Sequence, residues 1–309
     1  MRDFASCYNE HAVKVSDSSC SGTGNASSAR DPSVQRSVTC FYRTKLQSTR
    51  GEFLVRVTWS NSLVGQGFSL GVEEDLRSRP QHVPNKPVHD GGATTSLQIR
   101  KKKGSRSFVS GDSAVEVYWD ISSARYDAGP EPVGGFYVAV VVDGELGLRL
   151  GDMSVAHVNT LTADFSLIGR KEQVVGSNVY STRSRFGDGG RDHEIQIQCR
   201  GEGRDARESE LCVCVDKKKV VHVRRLRWNF RGNQTIFVDG VAVDMMWDVH
   251  DWWFSDAAPG CAAFMFRARG ALESRLWLEE EAASKDEQQG GGKSSGFSLL
   301  IHAFKTPWQ

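Results

Sequence analysis

The sequence predicts an all-β protein, built as two related antiparallel β-sandwich-like units in tandem behind a disordered N-terminal tail. Three observations predict it. Apolar residues alternate with polar ones at a period of two through most of the chain. Turn residues recur at roughly 8–12-residue spacing, as in sandwiches and barrels. Finally, residues 104–140 match a later segment at one constant offset of 128.

The elements follow in chain order. Residues 1–35 are rich in Ser, Gly and Asn and lack apolar periodicity, which reads as a disordered tail. Phe53, Val55, Val57 and Trp59 fall on one face of a strand, and Phe68-Ser-Leu-Gly-Val72 alternates in the same way. Residues 74–94, with three prolines and Gly91-Gly92, form a long surface loop. Ala114–Trp119 alternates. Phe136–Val142 is a continuous apolar run, the mark of a strand buried on both faces. Asp143-Gly144 turns the chain into Leu146–Leu150. Glu194–Gln198 and Leu211–Val215 alternate again. A helix is expected at about 270–284, where Leu272, Leu276 and Leu278 sit beside Glu279–Glu281, and a flexible Gly-rich insert at 280–296.

The repeat organises these pieces. At the offset of 128, Gly104 falls on Gly232, Ala114-Val115 on Ala242-Val243, Trp119-Asp120 on Trp247-Asp248, and Phe136 on Phe264. With a gap in the long loop, Val55–Val57 meets Ile195–Ile197, and Phe68–Val72 meets Leu211–Val215. Alternating strands match one another cheaply, so the Trp-Asp pair and the downstream Phe carry the inference of duplication. The expected boundaries are a first β unit at 36–155, a linker at 156–169 and a second β unit at 170–309.

Composition excludes several classes. The 309 residues are 39% hydrophobic and 25% charged, with a net charge of +1, so no global field draws the protein to nucleic acid or membrane. The N-terminus has no apolar core behind Met1-Arg2, and no stretch approaches a membrane span. Seven scattered cysteines without a leader imply free thiols in a cytoplasmic setting, peripheral to a membrane at most. No nucleophile elbow, zinc-protease helix, P-loop or dinucleotide fingerprint is present, so no catalytic, cofactor-binding or metal residue is assigned.

Two clusters invite a chemical reading. Met246-Trp-Asp-Val-His-Asp-Trp-Trp-Phe254 holds Asp248, His250 and Asp251. As a strand it would put Asp248 and His250 on one face, too few ligands for zinc. The sister segment keeps Asp120 but has Ser122 in place of His250, so the expected role is structural: Trp in the core, Asp capping the next turn. Cys212 and Cys214 share a face of their strand, and burial in the core is expected.

The basic runs are the candidate binding patch: Arg100, Lys101, Lys102, Lys103 and Arg106 in the first unit, and Lys217, Lys218, Lys219, Arg224, Arg225, Arg227 and Arg231 in the second. They suit a lipid headgroup, a phosphoprotein or nucleic acid; the competing role is protection of exposed edge strands. The leading reading is a soluble, non-enzymatic binding or adaptor module, with a protein or an anionic membrane surface as partner. Two alternatives stand beside it: an enzyme with a site between the halves near Asp120, Asp248 and His250, and a non-specific nucleic-acid binder. No aromatic-interleaved recognition motif supports the latter.

Several long motifs resemble the plant family catalogued as domain of unknown function 868. In the first half these are Ser37–Lys45, Val57-Thr-Trp59, Gly65-Gln-Gly67, Val117–Arg125, Gly129–Pro132 and Gly135–Val140. In the second they are Arg224–Asn233, Val238-Asp-Gly240, Val243–Trp252 and Ala263–Phe266. The resemblance spans about residues 36–280. It implies a plant origin and supplies no catalytic residue.

Overall fold

The computed structural model describes residues 34–62, 65–74, 95–155, 160–176, 178–187, 190–201, 209–254, 260–270 and 296–305. Most of the expected tail, the loop beyond Glu74, the helix expected beyond Gly270 and the Gly-rich insert short of Gly296 lie outside these residues.

The first half contributes ten strands: β1 (Val34–Lys45), β2 (Glu52–Ser62), β3 (Gly65–Glu74), β4 (Thr95–Ile99), β5 (Lys103–Ser110), β6 (Ser113–Asp120), β7 (Arg125–Tyr126), β8 (Pro132–Gly134), β9 (Tyr137–Val142) and β10 (Glu145–Gly151). The second contributes β11 (Asp164–Gly176), β12 (Val179–Ser184), β13 (His193–Arg200), β14 (Glu210–Val215), β15 (Lys218–Arg224), β16 (Arg231–Val238), β17 (Val241–Asp248), β18 (Cys261–Ala268) and β19 (Ser298–Lys305), with one short helix, α1 (His250–Phe254). Val34 and Gln35, expected in the tail, open β1, and residues 164–169, expected in a linker, open β11.

A nine-stranded sheet runs in the order β16-β17-β18-β19-β11-β1-β2-β3-β4. Two four-stranded sheets, β10-β9-β6-β5 and β12-β13-β14-β15, accompany it. Each half therefore holds two sheets with the same chain order: β1–β4 with β5, β6, β9 and β10, and β12–β15 with β16–β19. The halves use them in opposite senses. The long sheet takes β1–β4 from the first half but β16–β19 from the second.

Strand β11 joins the two, pairing antiparallel with β1 and parallel with β19. The register shows which way the faces point, because directly paired residues project to the same side. Cys40 faces Val57 on one side and Arg170 on the other, and Arg170 faces Leu299. Val57 belongs to the core of the first half and Leu299 to that of the second. One face of the long sheet thus floors both cores, and each four-stranded sheet roofs one of them.

Alternation explains the burial. Phe53, Val55, Val57 and Trp59 on β2 are all buried against Val115, Val117, Val138 and Val140 of the first roof. Ile195, Ile197, Leu211 and Val213 meet Val243, Met245, Phe264 and Phe266 in the second half. The continuous run in β9 is buried on both faces, as its sequence predicts. Val138, Val140 and Val142 enter the core, while Ala139 and Val141 pack with Leu146, Tyr118 and Val155 behind the sheet. Three hairpins turn through left-handed backbone at Asp143-Gly144 (φ 48° and 80°), Asp216-Lys217 (49° and 68°) and Asp239-Gly240 (47° and 79°), the type I′ pattern.

Between the two cores, at the seam of β1 and β11, the floor turns polar. Arg170 donates from Nε to Glu172 (2.6 Å) and from Nη1 to Glu131 (2.7 Å), and Thr182 Oγ1 also donates to Glu172 (2.7 Å). Glu131 lies between β7 and β8 of the first half and Thr182 on β12, so one half-buried ion cluster ties groups from both halves to the shared strand. Burial works against the charge of Arg170, but Glu172 and Glu131 outweigh it and hold its pKa above the ordinary value. Burial, then the charge of Glu131, pushes the neighbouring Cys40 thiol up to about 12, which leaves it unreactive. Replacing Arg170 by Met strands two carboxylates in the seam. We expect Arg170→Met to cost about 3–5 kcal/mol in chemical denaturation; a loss below about 1 kcal/mol would mean that the carboxylates are solvated without it.

Candidate functional site

The Trp-Asp segments build the same local device in both halves. Trp119, next to the last residue of β6, donates from Nε1 to the carbonyl of Lys101 (2.9 Å); Trp247, next to the last residue of β17, donates to the carbonyl of Asn229 (2.9 Å). Asp120 accepts the amide of Ser122 at 3.0 Å, and Asp248 accepts the amide of His250 at 3.0 Å. The other carboxylate oxygen takes a cation from the adjacent edge strand, Lys103 at 2.9 Å in the first half and Arg231 at 2.8 Å in the second. A glycine on that edge strand admits the indole: a Cβ at Gly104 would lie 3.0 Å from Trp119, and one at Gly232 would lie 2.3 Å from Trp247. Four positions thus form one unit, in which the cation pins the Asp, the Asp shapes the turn, the indole closes the core, and the glycine makes room.

This assigns Asp120 and Asp248 to structure. They stand in separate sandwiches, Asp120 in a roof and Asp248 in the floor one strand from its edge, so they do not meet between the halves. Asp248 caps the turn that follows it, as expected: β17 ends at Asp248 and α1 begins at His250, so His250 shares no strand with it. Its ring contacts Asp251 (2.9 Å) and packs against Phe230 and Phe254. Among the described residues, no group of three or more His, Cys, Asp or Glu is arranged to hold a metal ion.

The cysteine pair divides. Leu211, Val213 and Val215 take the core face of β14, Cys212 is half-buried, and Cys214 is buried as expected but is disulfide-bonded rather than a free thiol. Cys40, Cys199, Cys212 and Cys261 are free thiols, whereas Cys214 is disulfide-bonded.

A cluster that sequence reasoning did not single out lies at one end of the second sandwich. The buried ring of His193 stands 2.8 Å from Asp216 and 2.9 Å from Asp239, each at the tip of a hairpin, and Arg191 pairs with Asp216 at 2.9 Å. Burial raises the Asp216 carboxyl, but the contact with His193, the Glu194 amide and Arg191 outweigh it and hold it below the usual range. The cluster clips a roof hairpin to a floor hairpin. A depression of about 330 Å³ opens beside Arg43, Leu54 and Ile168 on the long sheet. Three carboxylates line it, Glu52, Glu73 and Glu74, which disfavours an anionic ligand there.

The basic residues do not form one patch. Arg100, Lys101, Lys102 and Lys103 occupy the corner where the chain crosses from β4 on the floor to β5 on the roof, and Arg106 follows on β5, a roof edge. Arg224, Arg225, Arg227 and Arg231 occupy the equivalent corner from β15 to β16. Strands β4 and β16 are opposite edges of the floor, eight inter-strand steps apart, or about 38 Å at ~4.8 Å per step. Lys217, Lys218 and Lys219 sit at the far end of β15 from Arg224, about 20 Å along the strand. Strand β15 is the other roof's edge, where lysines discourage pairing with another chain.

The β15–β16 corner also carries rings that the charge pattern alone did not flag. Trp228 is 75% exposed and Phe254 is 50% exposed. Arg227 lies over Trp253, 4.9 Å from its ring centroid, and Lys305 lies over Trp252 and Trp253 at 4.9 and 5.5 Å.

With the architecture in view, the comparisons can be stated. The molecule is an all-β protein of two sandwiches on one shared sheet. A family model described as plant protein of unknown function (DUF868) matches residues 33–305, and the chain belongs to that family. No curated protein and no solved structure matches the chain.

The repeated device makes two predictions. Gly232→Ala drives a methyl into Trp247 and costs about 1–3 kcal/mol in denaturant midpoint analysis, more than Gly104→Ala, whose clearance is wider; equal costs would show that the Trp247 ring moves aside freely. The second concerns acid. Lys103 first, then the Ser122 amide, holds the Asp120 carboxyl below its usual range. A depressed folded pKa contributes stability above the unfolded value of ~3.9 and loses it as pH falls through the folded value. We therefore expect Asp120→Asn to be less stable at neutral pH and to lose less stability than the wild type between about pH 5 and pH 2. Parallel acid profiles for the two proteins would count against the assignment.

Proposed function

We propose that this protein is a non-enzymatic binding module that engages a polyanionic surface through the two basic corners. The observation behind the reading is positional. In both halves the chain crosses between floor and roof at an equivalent place, and exposed cations gather there. Lys103 and Arg231 are held by Asp120 and Asp248. Arg100, Lys101, Lys102, Arg224 and Arg225 are exposed, and no carboxylate among the described residues pairs with them. Unpaired surface cations keep their charge for a partner and give binding that weakens with salt.

The polar groups that resemble catalytic residues have structural partners instead, which favours binding over catalysis. The duplicated sandwich suits this role, because two equivalent corners on one rigid sheet offer a bivalent platform. The reading carries a cytoplasmic location with recruitment to a charged surface. Among the described residues, no helix is long and apolar enough to cross a membrane.

Elution from immobilised heparin over a salt gradient tests the reading. We expect retention at low salt, with Arg100→Glu/Lys101→Glu/Lys102→Glu and Arg224→Glu/Arg225→Glu each eluting earlier, and Lys103 and Arg231 left intact to preserve their aspartate pairs. A protein that passes through unretained at low salt has no polyanion-docking role.

A further inference from the structure

We infer that the β15–β16 corner is an interfacial anchor for an anionic lipid bilayer; the inference rests on the polyanion-docking reading and names its occupant at this corner.

The corner is rigidly built. Leu226 is fully buried and plugs it into the second core. The Leu226 amide donates to the carbonyl of Ser209 (2.9 Å), and the Arg227 amide donates to the Ser209 hydroxyl (3.0 Å). The amides of Trp228 and Asn229 both donate to the carbonyl of Arg225 (2.9 and 3.1 Å), and Asn229 Nδ2 donates to the carbonyl of Arg224 (2.9 Å). Such a turn holds its outward side chains in place, so little ordering remains to be done on docking. What it holds outward is Trp228. Two residues on, Phe230 packs against His250 and Phe254, at 5.3 and 5.7 Å between ring centroids, and Phe254 continues the apolar surface into solvent.

Cations surround these rings. Arg224 and Arg225 flank the turn, Arg231 lies 5.6 Å from the Phe230 ring centroid, and Arg227 and Lys305 stack on Trp253. Among the described residues, the acids nearby are Glu210, which lies across from Arg224 but contacts Arg200 and His222, Asp248, which Arg231 pairs, and Asp251, which His250 contacts. Exposed Trp and Phe inside a basic rim match the headgroup layer of an anionic membrane, where amphipathic rings settle at the interface and basic side chains meet phosphate.

Nucleic acid suits the corner less well. A base needs an open ring face to stack on. Phe230, His250 and Phe254 pack on one another, and Arg227 lies over Trp253, which leaves Trp228 as the open ring of the corner. The first half carries the same corner without these two rings. At the offset of 128, Trp228 and Phe230 correspond to Arg100 and Lys102. The first corner therefore has basic residues at the positions of Trp228 and Phe230, keeping Tyr126 where Phe254 stands, and the second offers charge with an exposed indole.

The test uses the full chain and two kinds of vesicle, phosphatidylcholine alone and phosphatidylcholine mixed with phosphatidylserine. We expect salt-sensitive co-sedimentation with the mixed vesicles only, weakened about tenfold or more by Arg224→Glu/Arg225→Glu. Trp228→Ala should lose binding, while Trp228→Phe should keep it. Brominated lipid should quench the wild-type fluorescence, and Trp228→Phe should remove most of that quenching. Binding that Trp228→Ala leaves intact, with no quenching assignable to Trp228, would overturn the anchor. Retention on heparin without vesicle binding would overturn the bilayer inference while sparing the docking reading, and oligonucleotide binding lost in Trp228→Ala would then assign the corner to nucleic acid. Failure on heparin and vesicles alike would remove both.

Discussion

Strand β11 bears the constraint on which the rest of the structure depends. Two four-stranded half-sheets could have closed two separate sandwiches, each with exposed edges to protect. Instead β11 fills the gap between β1 and β19 and makes one continuous floor. Its inner face must then change character along its length. Val174 packs into the second core, whereas Arg170 and Glu172 lie in the seam that neither roof covers with apolar groups. Buried ions of this kind survive only with partners. The partners come from both halves, Glu131 beside the short β7–β8 hairpin and Thr182 on the second roof, so the seam ties groups from both halves to their common floor.

That arrangement also decides where the surface chemistry sits. The halves share a chain order but use it in opposite senses on the floor, so the equivalent strands β5 and β16 lie in a roof and in the floor respectively. The crossover corners consequently reach opposite edges of the long sheet. The two corners become two separate basic regions rather than one patch. Within each copy the Trp-Asp device keeps its contacts. The surface residues outside it differ, with lysines at one corner and arginines with rings at the other. The core-facing part of the motif is tied to geometry that a small change would break, whereas the outward positions have no such restraint.

Much of this was legible in the residues. Alternation located the core strands, the apolar run of β9 announced burial on both faces, and Asp143-Gly144 marked its turn. The offset of 128 aligned Lys103 with Arg231 and Trp119-Asp120 with Trp247-Asp248, which are the positions that make equivalent contacts. Asp248 caps the next turn as expected, because its carboxylate captures the His250 amide and starts a turn of helix there. The misreadings have physical causes. Cys212 looked like a core residue because cysteine is usually buried, yet Leu211 and Val213 beside it on the same strand compete better for the core face, and it stays half-buried. Trp228 was absorbed into a basic run, since nothing local says which of Leu226 and Trp228 turns inward.

By itself, then, the sequence determined the class, the period and the duplicated device, because these depend on side chains within one strand or one hairpin of each other. Only the tertiary structure decided which half-sheets share the floor, that the two basic corners stand apart, and that Trp228 faces solvent. Those are matters of long-range register. Strands with the same alternation can pair in several orders at similar local cost, and the choice among them rests on contacts such as Arg170 with Glu131 that join residues far apart in the chain.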